Sequence, residues 1–272
     1  MNKNKQLPIA CSIAGSDSCG GAGIQADLRT FALHGVHGAS VVTALTAQNT
    51  LQVCDIQICD VDFVVTQLKA VVTDLSIQVF KTGMLANSAI VEAVALLLTD
   101  IPDLQLVLDP VMVSTSGQEL YEFQGIDLLQ RKLFPLATIV TPNIAEAEQL
   151  LGQNIVLTEQ AIEDAARRLY DRFGTAVLLK GGHSLGAAND VLVTEHSVQW
   201  LQADRIMLGV THGTGCHLSA AITARLALGE SLVDAVYGAK YWLTDALKRS
   251  VPIGQGGVSP WPQSIFLLST LQ

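Results

Sequence analysis

Charge is scarce in this chain. Of its 272 residues, 15% are Asp, Glu, Lys or Arg, against roughly 25% in an average soluble domain. Lysine and arginine total 16 and are outnumbered by 25 acidic residues, which leaves a formal net charge of −9. That balance excludes a protein whose main work is gripping a nucleic-acid backbone by bulk charge. Long apolar runs are missing too. The best stretch, Ile90 to Leu98, contains Glu92 and is closed by Asp100, well short of the ~18 residues a membrane span needs. The five cysteines (Cys11, Cys19, Cys54, Cys59, Cys216) are an odd number without a CxxC pair. Cys54 and Cys59 would point to opposite faces of one strand. A disulfide framework or zinc site is therefore not expected, and a reducing cytoplasm is the default setting. Met1 to Leu7 carries two lysines without an apolar stretch behind them, so it does not read as a signal peptide. No linker, charge block or solenoid-period repeat divides the chain, which reads as one domain over residues 1–272.

What is abundant is apolar side chain, at 49%. The chain is too apolar to be disordered and must bury a large core. Short β-rich apolar runs alternate with longer helical patterns. The expected strands are Leu7–Ala14, Ser40–Ala47, Ile77–Thr82, Leu104–Leu108, Ala137–Val140 and Ala176–Lys180. Between them, helices are expected over Ile24–Leu33, Val61–Thr73, Ser88–Leu98, Ile144–Leu151 and Glu159–Phe173. Val191–Val193 and Val198–Leu201 read as an edge hairpin. Thr214–Leu228 and Leu232–Lys248 end the pattern as helices, the second opened by Ser231 and Asp234 at capping spacing. Alternation of this kind means βαβ units: an α/β fold, with a mostly parallel central sheet and helices on both faces. Strands buried on both sides need no polar face, which accounts for the shortage of charge. Ligands of such sheets gather at the carboxyl ends of the strands. Gly15–Gly23, Gln48-Asn49, Thr82-Gly83, Asp109, Asn143 and Lys180–Gly182 all sit there.

Three segments could carry chemistry. Between the first strand and helix, Ala14 to Gly23 holds four glycines, which let a backbone approach a ligand closely. It has neither the GxGxxG spacing nor the Lys-Ser/Thr of a Walker loop, so it reads equally as a turn or a ligand loop. Thr211 to His217 leads with small residues into an apolar helix. The first N–H groups of such a helix point outward, and its dipole adds about half a positive charge. Gly213, Thr214, Gly215 and Cys216 can thus hold an anion without a cationic side chain. Cys216 lies in the first turn, where a thiol tends to fall below its reference near ~8.5. A partly ionised thiolate, able to act as a base, is one reading, and an inert buried cysteine is the other, which the local sequence favours because cysteine is among the most buried residue types. Third, Asp109 and Asn143 each end an apolar strand, and Glu146 lies one turn into the next helix. Oxygen ligands of this kind suit Mg²⁺ held largely through water and substrate phosphates, although Asn143 alone reads equally as a helix cap. The six histidines lack HxH or HExxH spacing and are set aside as ligands, with His212 and His217 kept as neighbours of the site.

The segments together resemble the bacterial hydroxymethylpyrimidine/phosphomethylpyrimidine kinase family. The likeness begins at Ala14-Gly15-Ser16-Asp17 and Gly20-Gly21-Ala22-Gly23-Ile24-Gln25-Ala26-Asp27. It continues through Ala44 to Thr50, Lys81-Thr82-Gly83-Met84-Leu85, Leu108 to Met112 and Thr141-Pro142-Asn143 with Glu146. It ends with Lys180-Gly181-Gly182-His183 and His212 to Cys216. The resemblance implies a ribokinase-like three-layer sandwich and two successive ATP-dependent phosphorylations in thiamine biosynthesis: of the aminopyrimidine's 5-hydroxymethyl group, then of the monophosphate. It implies that Gly15, Asp27, Gln48, Met84 and Val111 face the pyrimidine, so the failed Walker match is expected of a loop that serves the acceptor. Gly213, Thr214 and Gly215 would form the anion hole and Cys216 would be the catalytic base. Asn143 and Lys180 would bind ATP, with Asp109 and Glu146 on the Mg²⁺. A homodimer acting on small molecules is also implied.

Two family lysines are absent. Ser114-Thr115-Ser116-Gly117 stands where a lysine often precedes Ser-Gly, and Gly254-Gln255-Gly256-Gly257-Val258-Ser259-Pro260 stands where Gly-Lys-Gly is usual. The nearest rival function is a pyridoxal or pyridoxine kinase. Gln48-Asn49 favours the aminopyrimidine, because an amide can both donate and accept on its edge. A dinucleotide-dependent oxidoreductase fits the βαβ pattern but lacks the fingerprint. A non-catalytic binding protein on the same fold is the third reading.

Overall fold

The computed structural model describes residues 7–112, 123–181, 188–206, 212–250, 252–257 and 259–260. The Ser114–Gly117 departure, Gly182-His183, Thr211 and Val258 lie outside the described residues. Among the described residues nine strands form one sheet in the order β3-β2-β1-β4-β5-β6-β7-β8-β9. In chain order they are β1 (Ile9–Asp17), β2 (His37–Gln48), β3 (Val53–Ile58), β4 (Val79–Thr82), β5 (Gln105–Leu108), β6 (Ile139–Val140), β7 (Ala176–Lys180), β8 (Asp190–Val193) and β9 (Val198–Leu201). β2-β1-β4-β5-β6-β7 are mutually parallel, while β3, β8 and β9 pair antiparallel at the two edges.

Among the described residues eight α-helices cover this sheet: α1 (Gly23–Leu33), α2 (Val61–Asp74), α3 (Ser88–Thr99), α4 (Phe123–Lys132), α5 (Ile144–Leu151), α6 (Glu159–Phe173), α7 (Thr214–Ala227) and α8 (Leu232–Lys248). Side chains alternate across each strand, and the two cores follow that alternation. Leu106 and Leu108 of β5, with Val177 and Leu179 of β7, pack toward buried residues of α2 to α6. Val107, Ala176 and Leu178 face the other way, onto Leu218, Ile222, Val236 and Ala239 of α7 and α8. Phe31 of α1 closes that second face with Ala220 and Ala224. The result is the ribokinase-like three-layer sandwich. Among the described residues no helix is long and apolar enough to cross a membrane, and the five cysteines are free.

The helices begin where the caps stand. Asn87 accepts from Ile90 N–H, Thr158 from Ala161 N–H and Ser231 from Asp234 N–H, each satisfying an orphan donor of a first turn. Two elements were not expected. β3 is an edge strand whose residues are mostly exposed, so no apolar alternation marks it. α4 is short and carries Gly125, which lowers its helix propensity.

Connectivity fixes where a site can form. From β1 the chain goes to β2 on one side and later to β4 on the other. The loops leaving β1 and β4 therefore diverge, and a crevice opens at their carboxyl ends.

Candidate active site

The crevice is built from β1 outward. Asp17 ends that strand and gathers the glycine-rich loop around its carboxylate. Its Oδ1 accepts from Cys19 N–H at 2.8 Å, and its Oδ2 from Gly21 and Ala22 N–H at 2.9 and 2.8 Å. Burial works against this charge, but His212 and the N–H groups of Cys19 and Ala22 outweigh it and hold the carboxyl below its ordinary value. This loop's donors are thus engaged by its own aspartate, which is the physical reason it is no phosphate loop. Gly15 lies against Met84, since a Cβ there would stand 3.3 Å from the Met84 sulfur. Gly23 has φ +56 and no room for a side chain beside the Gly15 carbonyl.

Behind the loop is a buried ion pair. Lys81 of β4 and Asp27 of α1 are both 0% exposed, with Nζ 2.9 Å from Oδ2. Ser12 Oγ donates to the same oxygen at 2.6 Å, while Asp27 Oδ1 has no hydrogen-bond partner. Burial pushes the Asp27 carboxyl up, against the pull of Lys81. Burial would depress the Lys81 ammonium, but Asp27, Cys216 and Asp109 outweigh it and hold its pKa above the ordinary value.

A second cluster stands at the ends of β5 and β7. Lys180 Nζ is 3.0 Å from Asp109 Oδ1, and Asp109 also accepts from Ser219 Oγ at 3.1 Å and Thr141 Oγ1 at 3.2 Å. Burial opposes the Asp109 charge, yet Lys180 and Lys81 lower its pKa overall. For Lys180, Asp109 and Glu146 outweigh burial and raise it. Val111 lies on this side, its N–H bonded to the Asp109 carbonyl at 2.8 Å.

The first turn of α7 reaches over both clusters. Gly213 is its N-cap at φ +78 with no side-chain cap, leaving the N–H groups of Thr214, Gly215 and Cys216 as the orphan donors of that turn. A Cβ at Gly213 would collide with the Gly21 carbonyl, so the two glycine-rich segments touch. At Gly215 a Cβ would stand 3.2 Å from Lys180 Nζ and 3.7 Å from Asp109 Oδ2. His217 is buried and its Nδ1 meets the Gly213 carbonyl at 2.8 Å. Burial lowers its pKa to about 4, so the ring is neutral and donates there.

At Cys216 the structure goes against the thiolate reading. Its thiol is pushed up to about 11, chiefly by burial. Lys81 and the Gly23 N–H pull it down, but Asp27 and Asp109 add to the rise. The field of a helix N-terminus does not overcome desolvation in a half-buried setting shared with two carboxylates. The resting group is a thiol rather than a partly ionised thiolate.

Asn143 and Glu146 form a reciprocal cap on α5. Asn143 Oδ1 accepts from Glu146 N–H at 2.9 Å, and Glu146 Oε2 accepts from Asn143 N–H at 2.7 Å. Burial raises the Glu146 carboxyl to about 7, with Asp109 adding to the rise and Lys180 opposing it. Among the described residues no group of three or more His, Cys, Asp or Glu could hold a metal by itself. A cation here would need water and phosphate oxygens to complete its shell. Asp109 and Glu146 fit that role. They are two oxygen ligands whose mutual repulsion a divalent cation would relieve.

The raised carboxyl sets a pH dependence. The fold favours protonated Glu146, so this stabilisation is full below about 4.5 and is lost as pH rises through about 7. Glu146→Gln should therefore melt close to wild type at pH 5. At pH 8, without ATP or divalent ions, it should gain on wild type by on the order of 1–3 kcal/mol, several degrees. Thermal unfolding at the two pH values checks this, and a gap that does not change with pH would mean the carboxyl ionises normally.

The structure thus joins Gly15 with Met84, Asp27 with the Cys216 environment, and Asp109 with Lys180 and Gly215. Gln48 meets His212, and Asn143 meets Glu146. Sequence reasoning assigned no role to Lys81, Asp17, Thr141 or Ser219. Lys81 did carry a signal: a lysine inside a run as apolar as Ile77 to Phe80 must find a counter-charge.

Sheet order and likeness to solved kinases place the chain among the ribokinase-like kinases. A structure of Bacillus subtilis pyridoxal kinase in an ADP complex superimposes with a TM-score of 0.89 and 34% identity, covering 96% of this chain and 100% of that one. Phosphomethylpyrimidine kinase of Clostridium difficile gives 0.78 and 37%, covering 88% and 99%. The hydroxymethylpyrimidine/phosphomethylpyrimidine kinase of Haemophilus influenzae is 47% identical over 94% of this chain and 96% of that protein. A family model described as phosphomethylpyrimidine kinase matches residues 17–261. The chain belongs to the phosphomethylpyrimidine kinase family.

Proposed function

We propose that the protein transfers the γ-phosphoryl group of ATP to the 5-hydroxymethyl group of 4-amino-5-hydroxymethyl-2-methylpyrimidine, and then to the resulting monophosphate, in thiamine biosynthesis. The observation that carries this reading is the meeting of two glycine-rich segments, Gly21 against Gly213, over a crevice flanked by Asp27–Lys81 and Asp109–Lys180. One segment has its donors folded inward, which suits it to an uncharged ring. The other has them free, which suits it to a phosphoryl group. Solved kinases of like fold with ADP or AMP-PCP bound support ATP as the co-substrate.

Phosphoryl transfer needs positioning and charge neutralisation more than covalent help. Gly15, Gln48, Met84 and Val111 line the acceptor, with Asp27 buried directly behind them. Backbone N–H groups of Gly213 to Cys216 hold the moving phosphoryl. Lys180 and Asn143 lie toward the ATP phosphates. Asp109 and Glu146 would hold Mg²⁺ through water, and when bound it neutralises charge on those phosphates. Cys216 takes the alcohol proton in the first step, for which its thiol must first ionise. In the second step the acceptor oxygen belongs to a phosphate already largely ionised near pH 7, and no strong base is needed. The free cysteines fit action in a reducing cytoplasm, the net charge of −9 fits small-molecule rather than nucleic-acid partners, and family likeness favours a homodimer.

Likeness to pyridoxal kinases keeps that alcohol as the rival acceptor. Separate assays of ATP consumption with the aminopyrimidine alcohol, its monophosphate and pyridoxal decide between them. Turnover of both pyrimidines, each faster than pyridoxal, is the expected result. Turnover of pyridoxal alone would assign the protein to the rival activity.

A further inference from the structure

One ring nitrogen in this crevice faces two partners. His212 Nε2 lies 3.1 Å from Asp17 Oδ2 and 3.1 Å from the end of the Gln48 amide placed as Nε2. The other end of that amide, placed as Oε1, lies 3.1 Å from Thr46 Oγ1. Thr46 Oγ1 is also 3.0 Å from the Ser16 carbonyl. The amide's two ends have nearly the same shape, so hydrogen-bond chemistry must say which is which.

Two independent constraints give the same answer. A carbonyl can only accept, so the single Thr46 hydroxyl proton goes to Ser16, and the hydroxyl is left as an acceptor toward Gln48. What faces Thr46 must then be an NH2 group. On the other side, Asp17 is a carboxylate that already accepts three backbone N–H groups. His212 Nε2 must carry a proton toward it, because a bare nitrogen lone pair against a carboxylate is repulsive. What faces that Nε2–H from Gln48 must be the carbonyl oxygen.

We infer that Asp17, His212 and Thr46 lock the Gln48 amide with its oxygen on His212 and its nitrogen on Thr46, and that His212 is a specificity-determining positioning residue for the aminopyrimidine. The main chain of Gln48 is held as well. Ser18 Oγ accepts from its N–H and donates to its carbonyl, both at 2.8 Å. The His212 ring is seated over Gly21, where a Cβ would stand 2.5 Å from its Cδ2. An amide locked at both ends still has one lone pair and one N–H hydrogen to offer the crevice, in a set order. An aminopyrimidine edge, with an exocyclic amine beside a ring nitrogen, presents the complementary pair. In pyridoxal the hydroxyl stands ortho to the aldehyde and donates to it internally, so that edge has no free donor beside an acceptor. This rests on the reading of Gln48 as an acceptor-site residue.

The ring proton is read directly by long-range ¹H–¹⁵N NMR of the full-length protein. Nε2 should carry a hydrogen, and a bare Nε2 with the proton on Nδ1 would overturn the inference. The second arm compares kcat/KM for the aminopyrimidine alcohol and for pyridoxal. His212→Phe keeps the ring over Gly21 but removes the donor. It should lower the ratio about tenfold through KM rather than kcat, and His212→Gln, which restores an N–H, should recover most of it. Thr46→Val removes the acceptor from the other end and should shift the ratio in the same direction, which keeps the test alive if the Phe variant does not fold. An unchanged ratio in the folded variants sinks the inference. A wild-type protein that turns over no aminopyrimidine defeats the functional reading instead, while the NMR arm still decides the amide lock.

Discussion

Replacing Cys216 with alanine is expected to slow the first phosphorylation by roughly 10²–10⁴-fold and the second by much less. The difference follows from the acceptors. An alcohol must lose a proton as its oxygen attacks, whereas a phosphate oxygen near neutral pH has already lost one. Because burial holds the thiol at about 11, the thiolate that takes the proton is scarce at pH 7 and grows about tenfold per pH unit. In wild type the first reaction should therefore climb with pH from 7 to 9 while the second stays nearly flat. In Cys216→Ala that climb should vanish. Paired pH–rate profiles on the alcohol and the monophosphate check both statements. Equal losses in the two reactions, or a first step indifferent to pH, would leave Cys216 as a group that only positions the hydroxyl.

Lys81→Met should be the most destabilising single change at this site. Lys81 and Asp27 are both sealed from water, and removing the cation strands a carboxylate that retains only Ser12 as a donor. Breaking a buried pair in this way costs about 3–5 kcal/mol, or roughly 10 °C in Tm for a chain of this size. The double change Lys81→Met with Asp27→Asn removes both charges and keeps an acceptor for Ser12. It should recover at least half of the lost stability without recovering activity. Urea denaturation of the two variants measures the first claim, and ATP turnover the second. Should the single and double variants prove equally unstable, the cost would lie in packing and not in the stranded charge.

The two results bear on the shortage of cations. With 16 Lys and Arg in the chain, the site places two of them, Lys81 and Lys180, each against a carboxylate. The rest of the positive potential comes from the N-terminus of α7. In the proposed reaction Lys180 would be the cation toward ATP, and Lys81 would lie beneath the acceptor.

Much of this was legible in the residues themselves. The alternation of apolar runs with helical periods identified the parallel strands and most helices. Residues such as Ser231 and Asp234 located helix starts, because capping is a contact between neighbours in sequence. The run from Gly213 to Cys216 announced an anion site for the same reason: the orphan N–H groups of a first turn belong to the turn itself. Even the exclusion of a nucleotide loop at Gly20-Gly21 followed from local spacing.

Other features had no local signature. β3 is held by pairing along one side of β2, and its Val53, Ile56 and Ile58 are too few and too irregularly spaced to mark a strand by themselves. Lys81 finds Asp27 across 54 positions of sequence, and His212 finds Asp17 across 195. The ionisation of Cys216 shows the difference most clearly. Its place in a helix's first turn is a local fact and argues for a lowered pKa. Its burial beside Asp27 and Asp109 is a tertiary fact and reverses the sign. By itself the sequence determined most of the elements, their order and the side-chain-free helix start at Gly213, because hydrogen bonding within a turn and apolar periodicity are short-range. Tertiary structure alone decided which charges are neighbours and which are dry, because solvation and Coulomb energy depend on distance in space.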